Sequence, residues 1–176
     1  MSVRMLYERF DDYVDDGIIQ FDSIPTIVKD NINPKFKIRE YQREAIGRFE
    51  YYVESFKNKR VPIHLLFNMA TGSGKTLVMA SNILYLYEKG YRNFIFFVNS
   101  TNIIKKTKEN FLNNLSSKYL LSDKIVWNNR EIIINEIDNF DDSIEDAINI
   151  LFITIQGLHS RLYLPRENSI TFEDFQ

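Results

Sequence analysis

The segment at residues 70–76 constrains this chain more than any other stretch. It reads Ala-Thr-Gly-Ser-Gly-Lys-Thr, and it lies between an apolar run at 63–67 and a helix-forming run that begins at Leu77. A strand, a glycine turn and a helix start in this order form a loop that binds phosphate groups. The sequence therefore predicts a strand at 63–67, a helix at 75–89 that stops at Gly90, and a nucleotide site between them.

The residue types of this loop match that chemistry. Gly72 and Gly74 allow the backbone to turn with its N–H groups inward, where a side chain would block a phosphate. The helix start adds about half a positive charge at the same point. Lys75 is predicted to reach the β- and γ-phosphates, and Thr76 to place its hydroxyl on Mg²⁺. The predicted phosphate-binding residues are Thr71, Gly72, Ser73, Gly74, Lys75 and Thr76.

The loop departs from the general pattern at one position. The pattern calls for a small residue at position 69, and this chain has Met69. The alternative is a glycine- and serine-rich loop that happens to precede a lysine. The intact Thr-Gly-Ser-Gly-Lys-Thr core between its strand and helix favours nucleotide binding.

Composition narrows the class of protein. The chain has 176 residues, of which 44% are hydrophobic and 26% charged, as expected for one globular domain with a small appendage. The absence of cysteine excludes disulfides and thiolate chemistry and agrees with a reducing cytoplasm. We expect no membrane span and no signal peptide. The net charge of −2 argues against a DNA-coating module, although it allows a locally basic groove.

The pattern along the chain predicts an α/β fold. Apolar residues at steps of three and four predict a helix from Arg39, and a short helix is predicted at 2–13, with a connector at 21–34 that contains a helical turn. Continuous apolar runs predict strands at 94–98, 132–134 and 150–155, covered on both faces as in a parallel sheet. An acidic loop with a turn from Ser143 is predicted at 138–146, and a last helix begins near Thr171. We divide the chain into an N-terminal extension, 1–33, and a main domain, 34–176.

Three further segments accompany the loop. Residues 37–45 read Lys-Ile-Arg-Glu-Tyr-Gln-Arg-Glu-Ala, at the head of the predicted helix. The Gln42 amide can both donate to and accept from an adenine edge, so it can select ATP over GTP. Two predicted strands end in polar residues, at 98–101 and at 153–158.

Together these segments resemble the first motor lobe of superfamily-two DEAD/DEAH-type helicases. The closest likeness, over about residues 36–160, is to the restriction (Res) subunit of type III restriction-modification enzymes. The resemblance implies a three-layer RecA-like lobe with a mainly parallel sheet, an ATP and Mg²⁺ cofactor, and DNA and a methyltransferase subunit as partners. Met69 is common in this group. The residues that the resemblance assigns to adenine are Arg39, Tyr41 and Gln42, and those that it assigns to DNA are Asn99, Ser100, Thr101, Thr154 and Gln156.

Each of these assignments has a plainer alternative. Gln42 can be an exposed helix residue. Residues 99–101 can cap the next helix, with its lysines at 105, 106 and 108 on a solvated face. Thr154 and Gln156 can be ordinary residues at a strand end.

The sequence lacks the Asp-Glu pair that this family needs to hydrolyse ATP. The nearest imitation, Asn135-Glu136, has asparagine where the metal-binding carboxylate belongs and precedes Thr154, against the family order. We therefore expect an N-terminal fragment, cut before the acidic (Walker B/DEAH) motif, without ATPase or nuclease activity of its own. The alternatives are a lobe from a type I restriction, DNA-repair or other defence ATPase, and a non-hydrolysing regulatory module. A small-molecule kinase is disfavoured because no arginine-rich lid is present.

Overall fold

The computed structural model describes residues 4–57, 59 and 61–163. The helices are α1 (Leu6–Asp15), α2 (Thr26–Asn31), α3 (Glu40–Glu54), α4 (Lys75–Glu88), α5 (Thr101–Leu112) and α6 (Ile155–Tyr163). The strands are β1 (Asn93–Val98), β2 (Ile125–Trp127), β3 (Arg130–Ile132), β4 (Ile134–Ile137) and β5 (Ile148–Thr154). The helix predicted near Thr171 lies outside the described residues.

Three strands form a parallel sheet in the order β1-β5-β4. Side chains alternate between its two faces, as the period of two in a strand requires. Phe96 and Phe152 face the main core with Leu84 of α4 and Phe111 of α5. The opposite face, which includes Leu151, packs against Leu158 and Leu162 of α6. Helices therefore cover both faces of the sheet, which confirms the predicted α/β fold with a mainly parallel sheet.

The apolar run before the glycine loop forms no β-strand, so the strand predicted at 63–67 is wrong. Half-buried Leu65 and Phe67 still anchor the run, and the Phe67 ring lies 6.0 Å from that of Phe49. Leu66 between them is 93% exposed. A strand needs a neighbour for its backbone hydrogen bonds, and no described strand pairs with this run.

The other predicted strands differ from the structure in detail. All but the last residue of β5 are buried, as expected for a strand covered on both faces, but Phe97 of β1 is 54% exposed. The run at 132–134 is divided, because β3 ends at Ile132 and β4 begins at Ile134. A short 3₁₀ helix, Phe140–Asp142, takes the place of the turn predicted from Ser143.

A hairpin that the sequence analysis missed joins β2 to β3. Asn128 and Asn129 form its two-residue turn, with φ of 52° and 60°. Positive φ at both central residues is the signature of the turn that best matches twisted strands. Buried Asn31 fixes this hairpin to α2: its side chain donates to the Val126 carbonyl over 3.0 Å and accepts from the Val126 N–H over 2.7 Å.

The N-terminal helix α1 docks on α3 through aromatic contacts. Phe10 lies edge-on to Tyr51 of α3, with ring centroids 5.6 Å apart, and to Phe56 just after α3, at 5.7 Å. Arg48 of α3 extends beside this cluster, with its guanidinium 5.3 Å from the centre of the Phe21 ring and 2.5 Å from the Asp11 carboxylate. These contacts hold α3 against α1. None of the described helices is both long and apolar enough to cross a bilayer.

Two glutamates of α3, one turn apart, affect the pH dependence of the chain's stability in opposite directions. Burial raises the pKa of Glu50, against the opposing charge of Lys89, so this carboxylate costs stability once pH rises through its folded pKa. Hydrogen bonds from Lys89 and Tyr85 lower the pKa of Glu54, so its contribution is present at neutral pH and is lost as pH falls through its folded pKa.

We therefore expect Glu50→Gln to raise the free energy of unfolding at pH 7 and Glu54→Gln to lower it. Each effect should be less than about 1 kcal/mol, because solvent screens partly exposed carboxylates. Urea titrations at pH 7 and pH 4 measure both variants. The difference between each variant and the wild type should shrink at pH 4. Effects of the same sign at pH 7 would contradict this assignment.

Candidate nucleotide-binding site

The glycine loop adopts the turn that its sequence predicts. Gly72 and Gly74 have φ of 79° and 84°, in the left-handed region that glycine tolerates best. Gly74 is the N-cap residue of α4, and its carbonyl accepts the first helical hydrogen bonds, from Leu77 and Val78. The helix starts at Lys75, as predicted.

The loop presents unpaired backbone donors. In the described part of the chain, the N–H groups of Gly72, Gly74, Lys75 and Thr76 donate to no protein acceptor. The buried Ser73 hydroxyl also has no hydrogen-bond partner among the described residues. Gly74 and Thr76 are half-buried, where a donor without a partner is costly, and consecutive free amides at a helix start attract an anion. This arrangement therefore fits a phosphate group.

Lys75 extends over its own loop. Its Nζ atom donates to the carbonyl oxygens of Met69, at 3.2 Å, and Ala70, at 2.9 Å. The side chain is exposed. Because carbonyl groups carry only partial charge, an anionic phosphate is a better partner for this ammonium group.

Gln42 contacts the loop from α3. Its Oε1 accepts from the Arg39 N–H over 2.9 Å, and its Nε2 donates to the Ser73 carbonyl over 2.7 Å. A Cβ atom added at Gly74 would clash with Nε2, so Gln42 packs directly against this glycine. Gln42 is only 4% exposed, so the alternative of an exposed helix residue is wrong.

Tyr41 and Arg39, close to Gln42 in the sequence, are linked to the same Ser73 carbonyl. The Tyr41 hydroxyl donates to the Ser73 carbonyl over 2.9 Å, and Arg39 Nη1 donates to the Tyr41 oxygen over 3.2 Å. The structure thus joins Arg39, Tyr41 and Gln42 to the glycine loop through one carbonyl group. Sequence reasoning found these residues, but it gave no signal that Ser73 is where they meet.

The polar ends of β1 and β5 lie side by side. Val98 pairs with Thr154 in the parallel register, so residues 99–101 and 154–156 follow neighbouring strands at one edge of the sheet. The Thr154 hydroxyl accepts from the Gly157 N–H over 2.9 Å, which caps the start of α6. Ser100 is the N-cap residue of α5, yet its side chain makes no capping hydrogen bond. Asn99, Thr101 and Gln156 are exposed.

The Asn135-Glu136 pair lies within β4, not at its end. Glu136 forms an ion pair with Lys108, and Asn135 donates to the Asn149 side chain over 2.9 Å. Neither residue has the strand-end position that an acidic motif requires. The described residues contain no group of three or more histidine, aspartate or glutamate side chains that could hold a metal ion.

Two comparisons with known proteins found matches. The family model described as type III restriction enzyme, res subunit, matches residues 35–175. The probable type III restriction-modification enzyme HindVIP Res subunit of Haemophilus influenzae is 39% identical over 160 residues, which are 88% of this chain. The matched part is 30% of that relative's length, so the chain spans less than a third of it. No solved structure is significantly similar.

Proposed function

Because the chain belongs to the family of type III restriction enzyme Res subunits, we propose that it forms the ATP-binding part of a motor lobe in an ATP-dependent DNA translocase. The observation that supports this most strongly is the set of unpaired amides at residues 72 and 74–76. They surround the start of α4, where the helix dipole also favours an anion. Lys75 is the cation within reach of the same loop.

In this proposal, each loop residue has a separate task. The backbone from Thr71 to Thr76 binds the phosphates, Lys75 neutralises them, and the Thr76 hydroxyl is a ligand of the nucleotide's Mg²⁺. Gln42 reads adenine with the amide hydrogen and the oxygen lone pair that its contacts to Ser73 and Arg39 leave free. Gln42 is almost fully buried, whereas Tyr41 beside it is 41% exposed.

We assign DNA contacts to the adjacent strand ends. The carboxyl ends of neighbouring parallel strands usually form the functional edge of an open α/β sheet. Asn99, Ser100, Thr101, Thr154 and Gln156 supply hydroxyl and amide groups of the kind that contact a nucleic-acid backbone. The parent protein would be a cytoplasmic restriction endonuclease that works with a methyltransferase subunit and cleaves DNA with a separate nuclease domain.

A second candidate is a nucleotide-binding module that does not hydrolyse ATP. The observation in its favour is that Asn135-Glu136, the dipeptide most like the family's acidic pair, has asparagine where the metal-binding carboxylate belongs. Both residues of this dipeptide lie within β4, where Glu136 forms an ion pair with Lys108 and Asn135 a hydrogen bond with the Asn149 side chain. Both candidates share the same nucleotide site and differ in turnover.

A thermal-shift titration tests the nucleotide site. A ligand that binds only the folded state stabilises it by about 2.7 kcal/mol at a hundredfold excess over Kd. We expect MgATP to raise the unfolding midpoint clearly and MgGTP to raise it little. Gln42→Ala should remove this difference, whereas Gln20→Ala, at an exposed position before α2, should preserve it.

Two results would contradict the proposal at different levels. Equal stabilisation of the wild type by ATP and GTP would exclude Gln42 as the reader of adenine. The absence of any shift with either nucleotide would exclude the nucleotide site itself. Each variant is compared with its own ligand-free midpoint, so a change in basal stability does not obscure the result.

A further inference from the structure

Two side chains of α3 donate to a single carbonyl group of the glycine loop. The Ser73 carbonyl accepts from Tyr41, at 2.9 Å, and from Gln42, at 2.7 Å. We propose that Tyr41 is a positioning residue for the phosphate loop: with Gln42 it fixes the peptide group between Ser73 and Gly74. This role rests on the proposed nucleotide site, and it differs from a contact with the base.

The geometry of the peptide group explains the effect. A trans peptide is planar, so its C=O and its N–H point in opposite directions. Because the Ser73 carbonyl points to α3, the N–H of Gly74 points away from α3. That N–H is one of the unpaired amides of the loop. Fixing the carbonyl therefore aims one phosphate donor before any ligand arrives, which lowers the cost of ordering the loop on binding.

The loop needs such support because of its composition. Gly72 and Gly74, on either side of Ser73, have the greatest backbone freedom of any residue type. A peptide flanked by glycine rotates more easily than one between residues with side chains. The hydrogen bonds from α3 restrict that rotation. This helix is itself held in place, because its Arg48 contacts Asp11 of α1 and the Phe21 ring.

The surroundings of Tyr41 favour its hydroxyl as the functional group. The residue is 41% exposed, so its ring contributes little to the core. Arg39 donates to the phenolic oxygen over 3.2 Å, and a donor there strengthens the O–H as a donor in turn. The hydroxyl thus lies between a guanidinium group and the loop carbonyl, with a hydrogen bond to each.

The experiment compares Tyr41→Phe with Tyr91→Phe. Both substitutions remove one hydroxyl from an exposed tyrosine, and the Tyr91 side chain, 57% exposed, makes no hydrogen bond with the described residues. The chain is titrated calorimetrically with MgATP, MgGTP and Mg²⁺-tripolyphosphate, the last of which has no base or sugar. We expect Tyr41→Phe to weaken ATP and tripolyphosphate by the same factor, about three- to tenfold, and Tyr91→Phe to weaken neither.

A second readout follows the carbonyl directly in the ligand-free chain. Loss of a hydrogen bond moves the ¹³C signal of the Ser73 carbonyl upfield, so Tyr41→Phe should move it and Tyr91→Phe should not. An unmoved signal would overturn the positioning role. So would unchanged affinities, or a loss confined to ATP and GTP, which would show that the hydroxyl contacts the base or the ribose.

A different result of the titrations would refute the proposed nucleotide site itself. In that case the wild-type chain binds none of the three ligands, and the positioning role falls with the site even if the carbonyl signal moves. When the wild type binds and Tyr41→Phe binds equally well, the nucleotide site stands and only the role of Tyr41 is refuted.

Discussion

Lys75→Ala is expected to abolish the stabilisation of this chain by MgATP. The Lys75 ammonium now donates to two loop carbonyls, and a phosphate would replace these neutral acceptors with anionic oxygens. Hydrogen bonds to charged groups contribute roughly 1.5 to 3 kcal/mol each, so the loss of two should weaken ATP at least about 100-fold. Calorimetric titration of the wild type and the variant measures this change.

The fold itself should tolerate this substitution. Lys75 is exposed, so we expect its loss to change the free energy of unfolding by no more than about 0.5 kcal/mol. Lys106→Ala, at an exposed position of α5, is the matched control and should keep wild-type affinity. If Lys75→Ala bound MgATP within about threefold of the wild-type affinity, the proposed role of Lys75 would be contradicted.

Phosphate release separates the two candidate functions. We expect negligible turnover from this chain, because its sequence contains no Asp-Glu pair to hold Mg²⁺ and activate water. Turnover that Lys75→Ala abolishes would show that another carboxylate has this task. It would then exclude the non-hydrolysing module and support the motor.

The sequence predicted the glycine loop and α4 closely because their signals are local. Glycine at two positions with positive φ, a helix start at Lys75 and a stop at Gly90 depend on residues that are neighbours in the chain. The α3 helix was equally clear from its apolar period. These elements require no knowledge of distant contacts.

The failures have two causes: contacts between residues that are distant in the sequence, and elements too short to show a pattern. An apolar run such as 63–67 shows a preference for burial, but a strand exists only when another strand pairs with it. The hairpin of β2 and β3 was missed because three-residue strands are too short to show a period. The convergence of Tyr41 and Gln42 on Ser73 joins residues 32 and 31 positions apart in sequence. The family resemblance suggested a base contact for them, not a contact with the loop.

A buried asparagine holds the parallel sheet together, and it was also absent from the sequence analysis. Asn149 of β5 is fully buried and lies between Asn93 of β1 and Asn135 of β4 in the strand register. Its amide donates to Asn93 Oδ1 over 3.1 Å and accepts from Asn135 Nδ2 over 2.9 Å. It also exchanges hydrogen bonds with the backbone of Ile144, each 2.9 Å long.

Asn149→Leu is therefore expected to destabilise the chain by about 3 kcal/mol or more. Leucine keeps the approximate shape of the side chain but leaves several buried polar partners unsatisfied, each at a cost of about 1 to 3 kcal/mol. Asn114→Leu, at an exposed position after α5, is the control and should change stability by no more than about 0.5 kcal/mol. Urea unfolding measures both variants, and a cost for Asn149→Leu below about 1 kcal/mol would contradict the role of Asn149.

The same substitution should also disturb the register of β1 against β5. Both strands are nearly continuous apolar runs, so a shift by two residues would keep apolar side chains on each face. The asparagines distinguish the native pairing, because a shifted Asn149 would lose its polar partners across the sheet. Asn93 pairs with Asn149 at one end of β1, and Val98 pairs with Thr154 at the other. Asn149 thus aligns the strand ends that we assign to DNA, and Asn149→Leu should change the backbone amide signals of Asn99 and Thr154 although it lies five residues from Thr154 along β5.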